Sequence, residues 1–301
     1  MNKSLKAHLA ALAANLIYGA NYSISKGIMP LYIRPAGFIV IRVIISVLLF
    51  LLFRSLFVKG EKKKIERKDY FNFFLCGLFG VAINQLLFFE GLSRTTAINA
   101  ALIITTNPVL VMLAASYILK ELITKRKITG ISLGVAGAAL LILNEHSLAT
   151  GQGTWHGDVM IFINAASYAV FLVMAKPLMA KYNPFVVITW TFFFGMLLVM
   201  PFGYHEVMQV SWHTFTMNTW VAVFYVCFFS TFLAYLLNTY GLRQLSPAVL
   251  SFYIYLQPIF ATFISLSLSG EPFTLVQAVS CAMIFAGVYL VSDRTMAKEK
   301  P

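Results

Sequence analysis

The stretch ITTNPVLVMLAASYILKE at residues 104–121 is answered, 150 positions later, by IYLQPIFATFISLSLSGE at residues 254–271. In each, a side-chain amide (Asn107 or Gln257) precedes a proline (Pro108 or Pro258), and the apolar run closes on a glutamate (Glu121 or Glu271). Working outward in the same register, Tyr18 meets Tyr168, Lys26 meets Lys176, Gly91-Leu92 meets Gly241-Leu242, and Gly137 meets Gly287. No gap is needed to align them. One such coincidence is easy to come by, but a series in register at uncommon residue types is not. The chain is therefore read as two copies of one unit, residues 1–146 and 155–295.

Composition says what medium the units fold in. Of 301 residues, 59% are hydrophobic and 11% are charged, with a mean hydropathy of +0.80. Soluble domains carry about 25% charge, so lipid must cover much of this surface. Apolar runs of spanning length fall at about 8–28, 36–57, 71–91, 97–119, 128–144, 158–180, 185–203, 219–239, 247–268 and 274–292. Each is near the ~20 residues that a hydrocarbon layer of about 30 Å requires. They do not alternate apolar with polar, which excludes barrel strands. The expected fold is all-α and integral to the membrane. It has ten transmembrane helices arranged as two inverted five-helix repeats, since five is odd and the second copy enters from the opposite side.

The net charge of +12 would suggest nucleic acid in a soluble protein, but here it reports orientation. With a cytoplasmic N-terminus, eighteen Lys and Arg fall on the inner side, seven of them in the cluster from Arg54 to Lys68, and only Arg34 and Arg94 fall outside. Basic residues accumulate on the cytoplasmic face, so both termini are expected there, in a cell (inner) membrane. Lys3 and Lys6 ahead of an apolar stretch resemble a signal peptide. The segment has a counterpart in the second unit, however, and is expected to be the first span. Cys76, Cys227 and Cys281 sit in apolar runs without paired spacing, so neither a disulfide nor a metal site is expected.

Inverted repeats are a common architecture of secondary transporters, in which each half takes up the conformation of the other in turn. The residues carry a more particular likeness. The chain resembles the drug/metabolite transporter superfamily, in its ten-helix EamA-type branch. The likeness rests on Asn107-Pro108 with Lys120-Glu121 and Gly134/Gly137, on Gln257-Pro258 with Gly270-Glu271 and Gly287, and on the opening Tyr18-Gly19-Asn21-Tyr22. It implies a central cavity lined by helices 1, 3, 4, 6, 8 and 9, with helices 5 and 10 peripheral. It also implies small-molecule cargo, which in this superfamily includes amino acids, other metabolites, nucleotide-linked sugars and cationic compounds.

Several residues are candidates for that cavity. In the first span, Asn15, Tyr18, Tyr22 and Lys26 recur at helical spacing, and a polar face in lipid turns inward. Asn84 and Gln85 in the third span and Thr231, Tyr235 and Asn238 in the eighth add to them, with Tyr168 as the repeat mate of Tyr18. Pro108 and Pro258 lie near the centres of their runs, where a proline frees a carbonyl four residues back. Asn107, Gln257 and Tyr253 stand beside them. Four ionisable residues lie within spans. Lys26 and Lys176 are symmetric and would serve as gates, recruit a carboxylate, or snorkel to an interface. Arg42 and Glu90 are asymmetric, their mates being Phe192 and Tyr240. They would form an ion pair that holds the outer half, and Glu90, the only carboxylate in a span, is the default proton-coupling group. Gly130, Gly134 and Gly137 would serve close packing within the chain or between two copies, which leaves a homodimer open.

An intramembrane enzyme needs concentrated chemistry at depth. His8, His146, His156, His205 and His213 all lie at or beyond the span edges, and no metal-hydrolase, phosphate-loop or dinucleotide motif occurs. No cofactor is called for. The expected function is carriage of a small metabolite by alternating access, with amino-acid export the best single reading. An uptake permease and an exporter of cationic compounds are alternatives with the same fold, and a channel is an alternative of another class.

Overall fold

The computed structural model describes residues 3–29, 31–57, 65–94, 100, 103–145, 155–257, 259–260 and 275–292. The chain is helical almost throughout. We number the helices α1 (Lys3–Ile28), α2 (Pro35–Phe57), α3 (Arg67–Arg94), α4 (Asn107–Leu119), α5 (Lys125–Glu145), α6 (Trp155–Lys181), α7 (Pro184–Met208), α8 (Met217–Gln244), α9 (Pro247–Phe252) and α10 (Leu275–Ser292). Among the described residues no strand occurs. Among the described residues five helices are long and apolar enough to cross a membrane: α2, α3, α6, α7 and α8. Leu48, Leu51, Leu52, Phe162, Leu197 and Phe202 are exposed on their flanks, as lipid-facing side chains are.

Local chemistry starts and stops these helices. Pro35, Pro184 and Pro247 sit in first turns, where the missing amide hydrogen costs nothing. Asn183, Thr216 and Ser246 cap α7, α8 and α9 by accepting from the amides of Phe185, Thr219 and Val249. At the start of α2 the Gly37 amide donates to Glu206 Oε2 on α7, at 2.7 Å. Lys120 ends α4 in the left-handed conformation, φ 56°.

The packing pairs helices across the two halves: α1 on α8, α3 on α6, α2 on α7, α4 on α9 and α5 on α10. The α5–α10 seam is a close one, built on glycines from both helices. A Cβ on Gly287 would stand 2.6 Å from the Gly130 carbonyl oxygen and 3.0 Å from the Gly134 nitrogen, and one on Gly137 would stand 2.9 Å from the Ser280 carbonyl. The glycine stripe thus packs within the chain. Cys76, Cys227 and Cys281 are buried.

Two departures from regular helix were not foreseen. In α3 the backbone widens into a π-helical turn at Leu78–Ala82, and in α8 it does so at Tyr225–Leu233. The 150-residue shift carries the first onto positions 228–232, inside the second. π turns are rare and concentrate at functional sites. The fourth and ninth apolar runs are also interrupted at matching places. Residues 105–106 form a turn before α4 begins, and α9 tightens into a 3-10 turn at Tyr253–Tyr255. Pro108 is therefore not a mid-helix kink, as its central place in the run suggested, but lies in the first turn of α4. A proline there breaks no helical hydrogen bond, because the helix has already been interrupted ahead of it.

Candidate functional site: a polar cavity with one charge

A cavity of about 140 Å³ lies between the halves. α1 supplies Asn15, Tyr18 and Asn21, and α2 supplies Arg42. α3 supplies Asn84, Gln85, Phe88 and Phe89, beyond its π turn. Ile104 and Asn107 come from the break before α4, Asn164 and Tyr168 from α6, and Ser230, Tyr235 and Asn238 from α8. Leu250, Ile254 and Gln257 complete the wall from α9 and the turn after it. Among the described residues none of α5, α7 or α10 takes part.

Amides hold the walls in place. Asn84 Nδ2 donates to the Asn164 carbonyl at 3.3 Å, and Asn164 Nδ2 donates back to the Asn84 carbonyl at 2.6 Å, tying α3 to α6. Gln257 Nε2 donates to Asn15 Oδ1 at 2.8 Å, while Asn15 Nδ2 donates to the Ala11 carbonyl. Gln85 Nε2 donates to the Tyr235 hydroxyl at 3.3 Å, and Asn238 Nδ2 to that of Tyr18 at 3.5 Å. Other polar atoms are buried without a partner: Arg42 Nη1, Gln85 Oε1, Asn107 Oδ1 and Ser230 Oγ. Buried polar atoms are normally satisfied; five more unpartnered atoms lie elsewhere among the described residues, and these four are grouped around the one cavity that a ligand or water would fill. For Asn107 the assignment is fixed chemically. Its Nδ2 donates to the Ala165 carbonyl at 3.2 Å, which only the nitrogen can do, so the free atom is the acceptor oxygen.

Arg42 is 4% exposed. Its Nε donates to Thr231 Oγ1 at 3.0 Å, and the Thr231 hydroxyl in turn donates a hydrogen bond to the Val226 carbonyl inside the π turn of α8. The rings of Phe89 and Phe38 approach the guanidinium carbon, with centroids at 5.0 and 5.7 Å. No acidic side chain lines the cavity among the described residues.

Of the residues picked from the sequence, Asn15, Tyr18, Arg42, Asn84, Gln85, Asn107, Tyr168, Tyr235 and Gln257 meet at this cavity. Others go elsewhere. Glu90 does not reach Arg42 but pairs with Arg94 one turn on, at 2.9 Å. Lys176 draws in the carbonyls of Leu242, Arg243 and Leu245, closing the end of α8. Tyr253 bonds to His8 Nδ1 at 2.7 Å. Pro108 is buried beside Asn107 without lining the cavity. Pro258 and the side chains of Tyr22 and Lys26 lie outside the described residues. Asn238, also picked from the sequence, joins the cavity wall, whereas Asn21, Asn164 and Ser230 were not among the candidates. Asn164 stands four residues before Tyr168 on the same helix face, which was the available signal.

The model of the EamA-like transporter family matches this chain twice, over residues 5–143 and 155–293. The uncharacterized transporter YyaM of Bacillus subtilis is 26% identical over 96% of this chain and 94% of its own. The Arabidopsis thaliana protein WALLS ARE THIN 1 is 24% identical over 96% of this chain and 83% of its own. A protein of known crystal structure superposes with a TM-score of 0.77 at 17% identity, covering 98% of this chain and 99% of that one, which establishes a shared fold.

Proposed function

This chain belongs to the EamA-like transporter family, and we propose that it carries a small polar metabolite by alternating access, with amino acids or related compounds as cargo and export as the direction. It is a multi-pass membrane protein that works on a small molecule from within the bilayer. In this reading all ten apolar runs span, the two matched units are inverted copies, and both termini face the cytoplasm of a cell (inner) membrane. The reciprocal packing supports inversion: α1 on α8 mirrors α6 on α3, and α2–α7, α4–α9 and α5–α10 each pair a helix with its own repeat mate. A pseudo-two-fold axis in the membrane plane generates that pattern.

The observation that carries the reading is the polar cavity walled by both halves, beside two π turns and two interrupted helices at matching positions. Interrupted helices around a central pocket are the common construction of carrier sites. The lone positive charge in the wall counts against cationic compounds as cargo. Reconstitution into liposomes with a panel of labelled metabolites, with and without a proton gradient, tests the function. Saturable uptake with counterflow is expected, whereas flux linear in concentration without counterflow would identify a channel instead.

A further inference from the structure

We infer that Arg42 is the anion subsite of this cavity and that the cargo is a monocarboxylate carrying a hydrogen-bond donor at its other end. The inference rests on the cavity being a transport site and names what it takes. A guanidinium removed from water is costly unless a counter-charge and hydrogen-bond acceptors replace the lost hydration. Here Thr231 satisfies Nε, two phenyl faces flank the plane, and Nη1 is left buried without an acceptor. Among the described residues the cavity wall holds no Asp, Glu, Lys or second Arg. One unit of positive charge is therefore open to neutralisation from within the cavity. A carboxylate of charge −1 balances it and matches the guanidinium edge. A phosphomonoester dianion would leave excess negative charge buried.

The second orphan sets the other end of the molecule. Asn107 Oδ1 is an acceptor whose orientation is locked by the Ala165 carbonyl. It calls for an ammonium, amide or hydroxyl hydrogen. A cavity of about 140 Å³ suits a small molecule.

The test is counterflow in proteoliposomes of the full chain, using small carboxylates, their primary amides, the matching amines and phosphomonoesters. The native protein is expected to favour the free acid over its amide by at least about tenfold. Arg42→Gln is expected to abolish that preference, and Arg42→Lys to retain part of it. Thr231→Val removes the hydrogen bond on Nε but keeps the charge, and is expected to stay within a few-fold of native. Each variant is checked by its elution profile and melting temperature. If Arg42 only ties α2 to α8, Thr231→Val fails as badly as Arg42→Gln, and the inference is overturned. It is equally overturned if amines, amides or phosphomonoesters are the carried class and Arg42→Gln transports them normally, an outcome that leaves the carrier reading intact. If no compound shows saturable counterflow in the native protein, the carrier reading falls and takes this inference with it.

Discussion

The two ends of the bundle are built from matching positions and closed by different chemistry. At the end that holds the start of α1, Glu66, Asp69, Lys181 and Tyr182 make an ionic knot between the halves. Lys181 Nζ reaches Asp69 at 2.9 Å and Glu66 at 3.1 Å. The Tyr182 hydroxyl donates to Asp69 at 2.7 Å and accepts from the Glu66 amide at 3.1 Å. Shifted by 150 residues, these positions are Thr216, Thr219, Leu31 and Tyr32. There the closure is aromatic: Tyr32 meets Phe215 at 5.6 Å, and Phe215 packs against Trp212 and Trp220. The repeat fixes where the halves meet, and each end chooses its contact separately. An ionic knot can exchange its partners for water with little loss, while an aromatic cluster must expose apolar area to part. If the cavity opens towards each end in turn, as proposed, the two openings need not cost the same.

The sharpest way to break the comparison is Asp69→Ala. Asp69 is 3% exposed and gathers Lys181, Tyr182 and Asn72. Losing charge-assisted hydrogen bonds at a buried acceptor is expected to cost about 2–3 kcal/mol, read as a lower melting temperature in detergent. Tyr182→Phe keeps the ring and loses both hydroxyl bonds, for about 1–1.5 kcal/mol. At the aromatic end, Thr216→Ala removes the cap of α8 and costs about 1 kcal/mol. Tyr32→Phe keeps the ring that meets Phe215 and stays within about 0.5 kcal/mol. The contrast between Tyr182→Phe and Tyr32→Phe sharpens the comparison most directly, because one substitution is made at two repeat-related sites. Equal melting shifts for the pair would refute the claim that the ends are closed differently.

The smallest effect is that of pH. Hydrogen bonds from Lys68 and Lys181 hold the Glu66 carboxyl below its ordinary 4.5. A depressed carboxylate stabilises the fold above the ordinary value, and that stabilisation is lost as pH falls through the lowered one. Melting measured from pH 8 downward should therefore show no change owed to Glu66 until below pH 4.5, where its stabilisation begins to be lost, and Glu66→Gln should remove that step.

Much of this was legible in the sequence, because membrane insertion and internal duplication both write long, regular patterns. Helicity and most cavity residues follow from apolar length, the 150-residue register and polar residues in lipid-facing runs. What escaped depends on rotation about a helix axis. Glu90 and Arg42 were matched by depth, but depth does not set azimuth. The π turn at Leu78–Ala82 also adds a residue to one turn of α3, turning everything beyond it, Glu90 included, by about 100° relative to a straight helical wheel. Pro108 was misplaced for a similar reason. The apolar run is continuous in sequence, and nothing in it marks the turn at residues 105–106 that lets the helix begin afresh at Asn107.

The glycine seam between α5 and α10 has a mechanical consequence. Helices whose main chains touch leave no slack, since neither can be pushed closer, and pulling them apart forfeits every contact along the line at once. Such a pair behaves as a door pin. If the cavity is to face first one way and then the other, the swing runs about Gly130, Gly134 and Gly287, so the two helices that contribute nothing to the wall of the chamber set the axis on which it turns.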